Sequence, residues 1–194
     1  MNKLLYCSLT FAIFHLACGQ PEVASFKIED LDSMEKRKAF LDSILETDQK
    51  VRTDAMTAEK LFGYYSEESN TANHKMWKVD SSNLEVVQQY LEAFDYPDEE
   101  TYGNDANTSL WMVIHHAPSG YDIDYRGRAM PYLVKAWKDG ALSDKAFSFF
   151  LNRYYRESFG ETFTFEGSMK TNKEVKVLLE KLGYKKNIIN GFNR

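Results

Sequence analysis

Cysteine is scarce in this sequence and no excess of basic charge is present, and each absence excludes a class of protein. Only Cys7 and Cys18 are present among 194 residues, so the chain beyond them can form no internal disulfide. The 24 basic residues are outnumbered by 29 acidic ones, the net charge is −5, and no basic run could neutralise a phosphate backbone. We therefore predict no nucleic-acid partner.

Core-forming residues, by contrast, are plentiful. Hydrophobic residues make up 43% of the chain and aromatic residues 14%, against 27% charged, which is enough for a sizeable core. This composition excludes wholesale disorder and a low-complexity fibre. The length is typical of one domain, and we predict a single helical domain over residues 31–194.

The amino terminus has the pattern of an export signal. Lys3 precedes an apolar run that is about as long as the central region of a signal peptide and too short to span a bilayer. Two processing sites compete, lipidation at Cys18 as in a lipoprotein and ordinary cleavage after Gly19. We predict an export signal over 1–18, a tether over 19–30, and a protein that is periplasmic or lipid-anchored to the cell envelope. Membrane contact is expected only through a lipid on Cys18.

The intervals between apolar residues predict helices along most of the chain. Capping-box patterns predict a long helix over 32–65 and a short helix that opens at Ser82, with a polar surface loop over 66–73 between them. Residues 106–117 are apolar almost all round, as is typical of the most buried helix. The other predicted elements are helices over 125–139, 143–160 and 175–182 and a strand signal at 162–165. We predict a mainly α fold, an irregular bundle of about six helices with at most one small β-hairpin.

Asp48 and Arg52 form a charged pair on the apolar face of the first predicted helix. They are spaced i,i+4, and at about 100° per residue they fall inside the stripe of Leu41, Ile44 and Leu45. Buried charges persist only when they are paired and hydrogen-bonded. Two interpretations stay open, an ion pair that clamps helices together and the floor of a polar site.

Two adjacent histidines, His115 and His116, end the apolar helix. Neighbouring side chains on a helix point about 100° apart, so the two rings cannot easily share one metal ion. No third ligand is close in the sequence and no phosphate-binding loop is present, so we predict neither a metal nor a cofactor. A histidine in this position is typical of a hydrogen-bonded core residue or of a general base.

Several short motifs follow one another in a definite order over residues 40–185. They are Asp48-Gln49-x-x-Arg52, Asp80-x-x-Asn83, Pro97 with Gly103, His116-Ala117, Met130-Pro131-Tyr132-Leu133, Arg153, and a last helix ending in Leu182-Gly183. In order and spacing the motifs resemble the bacterial domain-of-unknown-function family 6624. The chain departs from the family pattern at Asn152, where the family often has Asp, and over 160–167, where it has a Tyr-Gly-Thr-Gln-like motif. The resemblance implies an architecture and a set of polar residues, and no reaction.

The polar residues that match the family are expected to converge in one pocket, because Asp48 and Arg52 face inward and His116 ends a buried helix. The catalytic candidates are His116, Asp48, Arg52 and Arg153, and the binding candidates are Gln49, Asp80 and Asn83.

Two functions compete for these residues. The first is a ligand-binding or protein-interaction module of the bacterial envelope, whose partner is an unknown small molecule or an envelope protein. The alternative is a small-substrate hydrolase in which His116 acts as general base and Asp48 orients it. In that alternative, Arg52 or Arg153 holds an anionic substrate or stabilises developing negative charge.

Overall fold

A computed structural model describes residues 27–117, 124–164 and 172–184 of the chain. Seven α-helices lie in these ranges, after one short 3-10 turn at Ile28–Asp30. They are α1 (Met34–Phe62), α2 (Glu67–Phe94), α3 (Glu99–Tyr102), α4 (Asn104–His116), α5 (Asp124–Asp139), α6 (Asp144–Phe159) and α7 (Asn172–Lys181). The prediction of a mainly α bundle is confirmed. The predicted export signal lies outside the described residues.

Helices α1 and α2 form one long antiparallel hairpin. The first begins after Ser33, whose hydroxyl accepts a hydrogen bond from the Lys36 backbone N–H at 3.3 Å. It ends at Gly63, where φ is +92°, a backbone conformation that residues other than glycine rarely adopt. The hairpin brings the middle of α1 beside the middle of α2, as the contact between Arg52 and Asp80 shows.

The structure corrects the sequence prediction for the start of α2. Ser66 caps this helix by accepting a hydrogen bond from the Ser69 backbone N–H at 3.1 Å, and the helix runs unbroken to Phe94. The predicted loop over 66–73 and the predicted helix start at Ser82 are therefore wrong. Polar residues fill this stretch because it lies on a solvated part of the helix, where composition does not separate a helix from a loop.

Only the base of the hairpin belongs to the core. Buried residues on α1 stop at Ala55, and on α2, apart from Ser69, they begin at Val79. Several large apolar side chains of the outer part are exposed: Met56, Leu61, Phe62, Tyr64, Tyr65 and Trp77. In the described part of the chain, no helix has the length and apolar character needed to cross a membrane.

Helix α4 is the centre of the bundle, as the sequence predicted. It packs against α1, α2, α3, α5 and α6. Its side chains Ala106, Leu110, Val113 and Ile114 are almost completely buried. Because α4 ends in the middle of these neighbours, its last turn carries two histidines into the interior of the protein.

Helices α6 and α7 complete the core on the carboxyl-terminal side. The aromatic side chains Phe147, Phe150 and Tyr154 of α6 are buried, and α7 packs its apolar stripe against this helix. The strand signal at 162–165 has no counterpart in the described residues 161–164, which are irregular, and Phe165 lies outside them. An isolated two-residue alternation is too short to build a sheet without a partner strand.

Candidate functional site

Four charged or titratable side chains meet where α1, α2 and α4 come together. Asp48 and Arg52 come from α1, Asp80 from α2 and His116 from the end of α4, and we call them the Arg52 cluster. The Nη2 atom of Arg52 lies 3.1 Å from Asp48 Oδ1 and 2.6 Å from Asp80 Oδ1. The Nε atom of Arg52 lies 3.3 Å from Asp48 Oδ2, so one guanidinium joins the two carboxylates.

His116 closes the cluster from the third helix. Its Nδ1 atom lies 3.1 Å from both carboxylate oxygens of Asp48 and 2.8 Å from Arg52 Nε. Nδ1 can therefore accept from Arg52 or donate to Asp48, depending on where its proton sits. The carboxylate faces Nδ1 with both oxygens, which favours a proton on Nδ1 and leaves Nε2 as the basic nitrogen.

Burial and pairing act in opposite directions on the two carboxylates of the cluster, which are only 1% and 3% exposed. Burial raises the pKa of Asp48, but hydrogen bonds from His116 and Arg52 and their charges outweigh burial, so the pKa lies below its ordinary value. Burial also raises the pKa of Asp80, and there the charge and hydrogen bond of Arg52 offset only part of the rise. Asp48 is therefore the carboxylate that holds its negative charge most strongly.

Two further side chains contact the cluster. Gln49 is exposed, but its Nε2 donates to Asp48 Oδ2 at 2.8 Å. Arg52 Nη1 lies 3.5 Å from the sulfur of Met76, a weak acceptor. Most of the donors of Arg52 are thus already used by the protein itself.

Asn83 is buried on α2, close to Asp80 along the helix, but no hydrogen bond joins it to the cluster within the described residues. Its Nδ2 atom is buried without a partner.

The cluster does not have the form of a metal site. Among the described residues there is no group of three or more His, Cys, Asp or Glu side chains that could hold a metal ion. In the Arg52 cluster the guanidinium of Arg52 occupies the position between the two carboxylates that a cation would take.

Arg153 stands apart from the other candidates. It lies on α6, where its Nε donates to Glu157 Oε1 at 3.0 Å, and no hydrogen bond of the described residues joins it to the Arg52 cluster. The same carboxylate pairs with Arg126 at the start of α5. The structure thus brings Asp48, Gln49, Arg52, Asp80 and His116 together, as expected, and places Arg153 beside a neighbouring cavity.

This cavity lies between the end of α4 and the outer face of α6, and has a volume of about 300 Å³. We call it the His115 cavity. It is lined by His115, Ser148, Phe149, Asn152, Arg153, Arg156, Thr162 and Phe163.

His115 is a buried polar group of the cavity lining. It is 8% exposed, and its ring lies 5.0 Å from the Phe149 ring and 6.0 Å from the Trp111 ring, measured between centroids. Burial, and next the positive charge of Arg153, lowers the pKa of His115 to about 3. The imidazole is therefore neutral at pH 7, and its Nδ1 atom is buried with no hydrogen-bond partner in the described part of the chain.

Asn152 presents a second open polar atom. Its Nδ2 donates to Glu174 Oε1 of α7 at 3.1 Å, which fixes the orientation of the amide. The other end of the amide, Oδ1, is buried and has no partner among the described residues. Buried polar atoms in folded proteins nearly always have a partner, so two such atoms on residues that line one cavity need an explanation.

Sequence reasoning missed three residues of this second region. His115 was considered only as one of two adjacent histidines, and Asn152 only as a departure from the family pattern. The ion pair of Glu157 could have been predicted, because Glu157 follows Arg153 at i,i+4, the spacing of a helical ion pair.

Comparison of the chain with family models, with curated proteins and with solved structures finds no match. The resemblance to the bacterial family of unknown function therefore stays a prediction.

Proposed function

We propose that the protein is an exported ligand-binding module of the bacterial envelope that holds a small molecule in the His115 cavity. The observation that carries the proposal is the pair of buried, unpartnered atoms on lining residues, His115 Nδ1 and Asn152 Oδ1. Each atom left without a hydrogen bond costs about 1–3 kcal/mol. A ligand that bonds to both atoms recovers this free energy, which favours binding at this place over other parts of the surface.

The Arg52 cluster supports such a site from behind. His116 is held by Asp48 and Arg52, and its ring lies 5.5 Å from the ring of His115. Fixing His116 fixes the last turn of α4 and with it the direction of the His115 ring. A binding site is more selective when the residues behind it hold its side chains in place.

The proposal is tested by a thermal-shift screen of a small-metabolite library with the full chain and two matched variants. Thr162→Trp places a large ring at an exposed position that lines the cavity, and Thr164→Trp places it at an exposed position outside the lining. We expect compounds that stabilise the wild type and Thr164→Trp but not Thr162→Trp. The proposal is wrong if every stabilising compound acts equally on both variants, or if none is found.

A hydrolase is the second candidate, and one observation favours it. Asp48 holds Nδ1 of His116, and within the described residues all hydrogen bonds of His116 run through that atom. Nε2 would take a proton from a water molecule as the water oxygen bonds to the acyl carbon of an ester, and the proton would then pass to the departing alkoxide. Arg52 has too few open donors to hold the substrate.

The hydrolase candidate is tested with 4-nitrophenyl acetate. If His116 is the general base, we expect His116→Gln to lower kcat/KM by about 100-fold or more. His74→Gln, which changes an exposed histidine of α2, is the control for hydrolysis by surface imidazoles. Equal rates for the two variants would exclude His116 as a base for this ester.

A further inference from the structure

We infer that the His115 cavity takes a small carboxylate or phosphate that carries a hydroxyl or amino group beside its anionic group. The inference rests on the proposed function, because it specifies the class of ligand for the same cavity. Three observations lead to it: the charge of the lining, the donors of Arg153 and Arg156, and the open acceptor of Asn152.

The charged side chains that line the cavity are of one sign. Arg153 and Arg156 are the only charged residues among the described residues that line it, and the lining has no Asp or Glu. Behind the lining lie two carboxylates, Glu157, which is shared between Arg153 and Arg126, and Glu174, which accepts from Asn152. Three guanidinium groups thus face two carboxylates. An anion entering the cavity meets an excess of positive charge.

The donors of the two lining arginines are largely unused. Arg153 bonds to Glu157 through Nε, and within the described ranges neither of its terminal nitrogens has an acceptor. Arg156 is exposed, and its side chain forms no ion pair with a described residue. A planar guanidinium with free terminal nitrogens matches the geometry of a carboxylate or phosphate group.

The open atom of Asn152 adds a second requirement. Because Nδ2 donates to Glu174, Oδ1 is the part of the amide that has no partner among the described residues, and it is an acceptor. An anionic group cannot bond to this oxygen, since both are acceptors. The ligand must therefore also bring an O–H or N–H donor, and neutral His115 beside it can pair with the same part of the ligand.

The size of the cavity limits the size of the ligand, and the contacts of Arg52 exclude it as the anchor of the anionic group. A volume of about 300 Å³ is at the lower end for ligand sites, which favours a molecule of a few carbon atoms. Arg52 already binds two carboxylates of the protein and cannot serve as the anion anchor. Arg153 keeps that role.

Isothermal titration calorimetry on the full chain tests the ligand class with four probes. Glycerate and glycerol 3-phosphate carry an anion with adjacent hydroxyls, and separate carboxylate from phosphate recognition. Propionate lacks the hydroxyls, and glycerol lacks the charge. We expect at least one of the first two to bind about tenfold or more tighter than both propionate and glycerol.

Variants locate the binding. Arg153→Gln and, separately, Arg156→Gln should weaken the binding of the anionic probe. For Arg153→Gln we expect a loss of affinity of about 10- to 100-fold. Lys145→Gln removes a positive charge from the exposed side of the same helix outside the cavity, and should change the affinity less than about twofold. Circular dichroism confirms that each variant is folded, and Arg156, being exposed, provides a variant that cannot disturb the core.

Two different failures are distinguishable. If the library compounds that depend on Thr162 are neutral or cationic, or if both arginine variants bind anions like the wild type, the ligand class is wrong and the binding function stands. If no compound depends on Thr162, the binding function itself is wrong. Equal weakening by Lys145→Gln would show attraction to the general surface charge and would also overturn the inference.

Discussion

The Arg52 cluster and the His115 cavity contain the same local element, a helical ion pair, but differ in the ratio of guanidinium groups to carboxylates. Each contains an arginine and a carboxylate spaced i,i+4 on one helix, Asp48 with Arg52 and Arg153 with Glu157. In the cluster, one guanidinium serves two buried carboxylates. In the cavity, one carboxylate serves two guanidiniums, and polar atoms remain open. Among the described residues, most donors of Arg52 have acceptors, whereas the terminal nitrogens of Arg153 have none.

The two regions meet at the last turn of α4. His116 turns toward Asp48 and His115 toward Phe149, because successive side chains of a helix point about 100° apart. One histidine is thus held by charges while its neighbour is buried among rings. Variants of the two regions should therefore differ in stability and in their response to pH.

The largest effect is expected for Arg52→Ala. This change strands Asp48 and Asp80 without their guanidinium, and breaking a buried ion pair typically costs about 3–5 kcal/mol of the free energy of unfolding. Urea unfolding monitored by circular dichroism measures the loss. A midpoint within error of the wild type would show that the cluster does not clamp the helices.

A companion variant separates stranded charge from lost packing. Replacing Asp48, Arg52 and Asp80 together by Leu, Met and Leu removes all three charges, so we expect the loss to be smaller than for Arg52→Ala alone. The structure requires Asp80 in this set, because Arg52 bonds to both carboxylates. A triple variant less stable than the single one would mean that the charges themselves stabilise the fold.

The second effect is a dependence of stability on pH that comes from His115. Its pKa is about 3 in the folded protein, whereas in the unfolded chain it is about 6.5. Below pH 6.5 the unfolded chain therefore binds a proton that the folded protein does not. Above pH 6.5 the titration of His115 does not lower the free energy of unfolding. Below pH 6.5 it lowers the free energy of unfolding by about 1.4 kcal/mol per pH unit as the pH drops toward 3.

His115→Gln removes this titration and retains a polar side chain. The difference in the free energy of unfolding between the wild type and this variant should shrink or reverse between pH 7 and pH 4, whereas His74→Gln should show no such trend. Urea midpoints across that range measure it. A constant difference would place the His115 ring in contact with water.

A smaller effect is expected for Gln49→Ala. Gln49 is exposed, but it donates one hydrogen bond to Asp48, and such a bond contributes about 0.5–1.5 kcal/mol. The same urea titration measures the change, with Lys50→Ala as the control, because Lys50 forms an exposed ion pair with Asp54 on the same turn. If both variants lose the same amount, the contact with Asp48 has no special role.

The smallest effect on stability is expected for Arg153→Gln. Its ion pair with Glu157 is partly solvated, and Glu157 keeps Arg126 as a partner, so we expect a loss below about 1 kcal/mol. A loss as large as that of Arg52→Ala would erase the distinction between the two regions, and Arg153 would then be a clamp. Urea unfolding of both arginine variants under one set of conditions decides this.

Local periodicity carried the predictions that succeeded. The helical angle between residues placed Asp48 and Arg52 on the buried face of α1, and the apolar run over 106–117 identified the central helix. The polar composition of 66–73 misled the prediction for α2, because a solvated helix and a surface loop use the same residues. The sequence-based set of site residues was brought together except for Asn83 and Arg153.

The sequence by itself determined the buried face of α1 and the apolar character of the central helix α4, because both depend on a period of 3.6 residues and need only nearby positions. Only the tertiary structure decided which buried polar atoms find partners. Asp80 meets Arg52 because the α1–α2 hairpin pairs two residues 28 positions apart. Arg153 is left with open donors because its one carboxylate is shared with Arg126 of another helix. Such pairings are set by the packing of distant segments, and a local pattern in the chain carries no record of them.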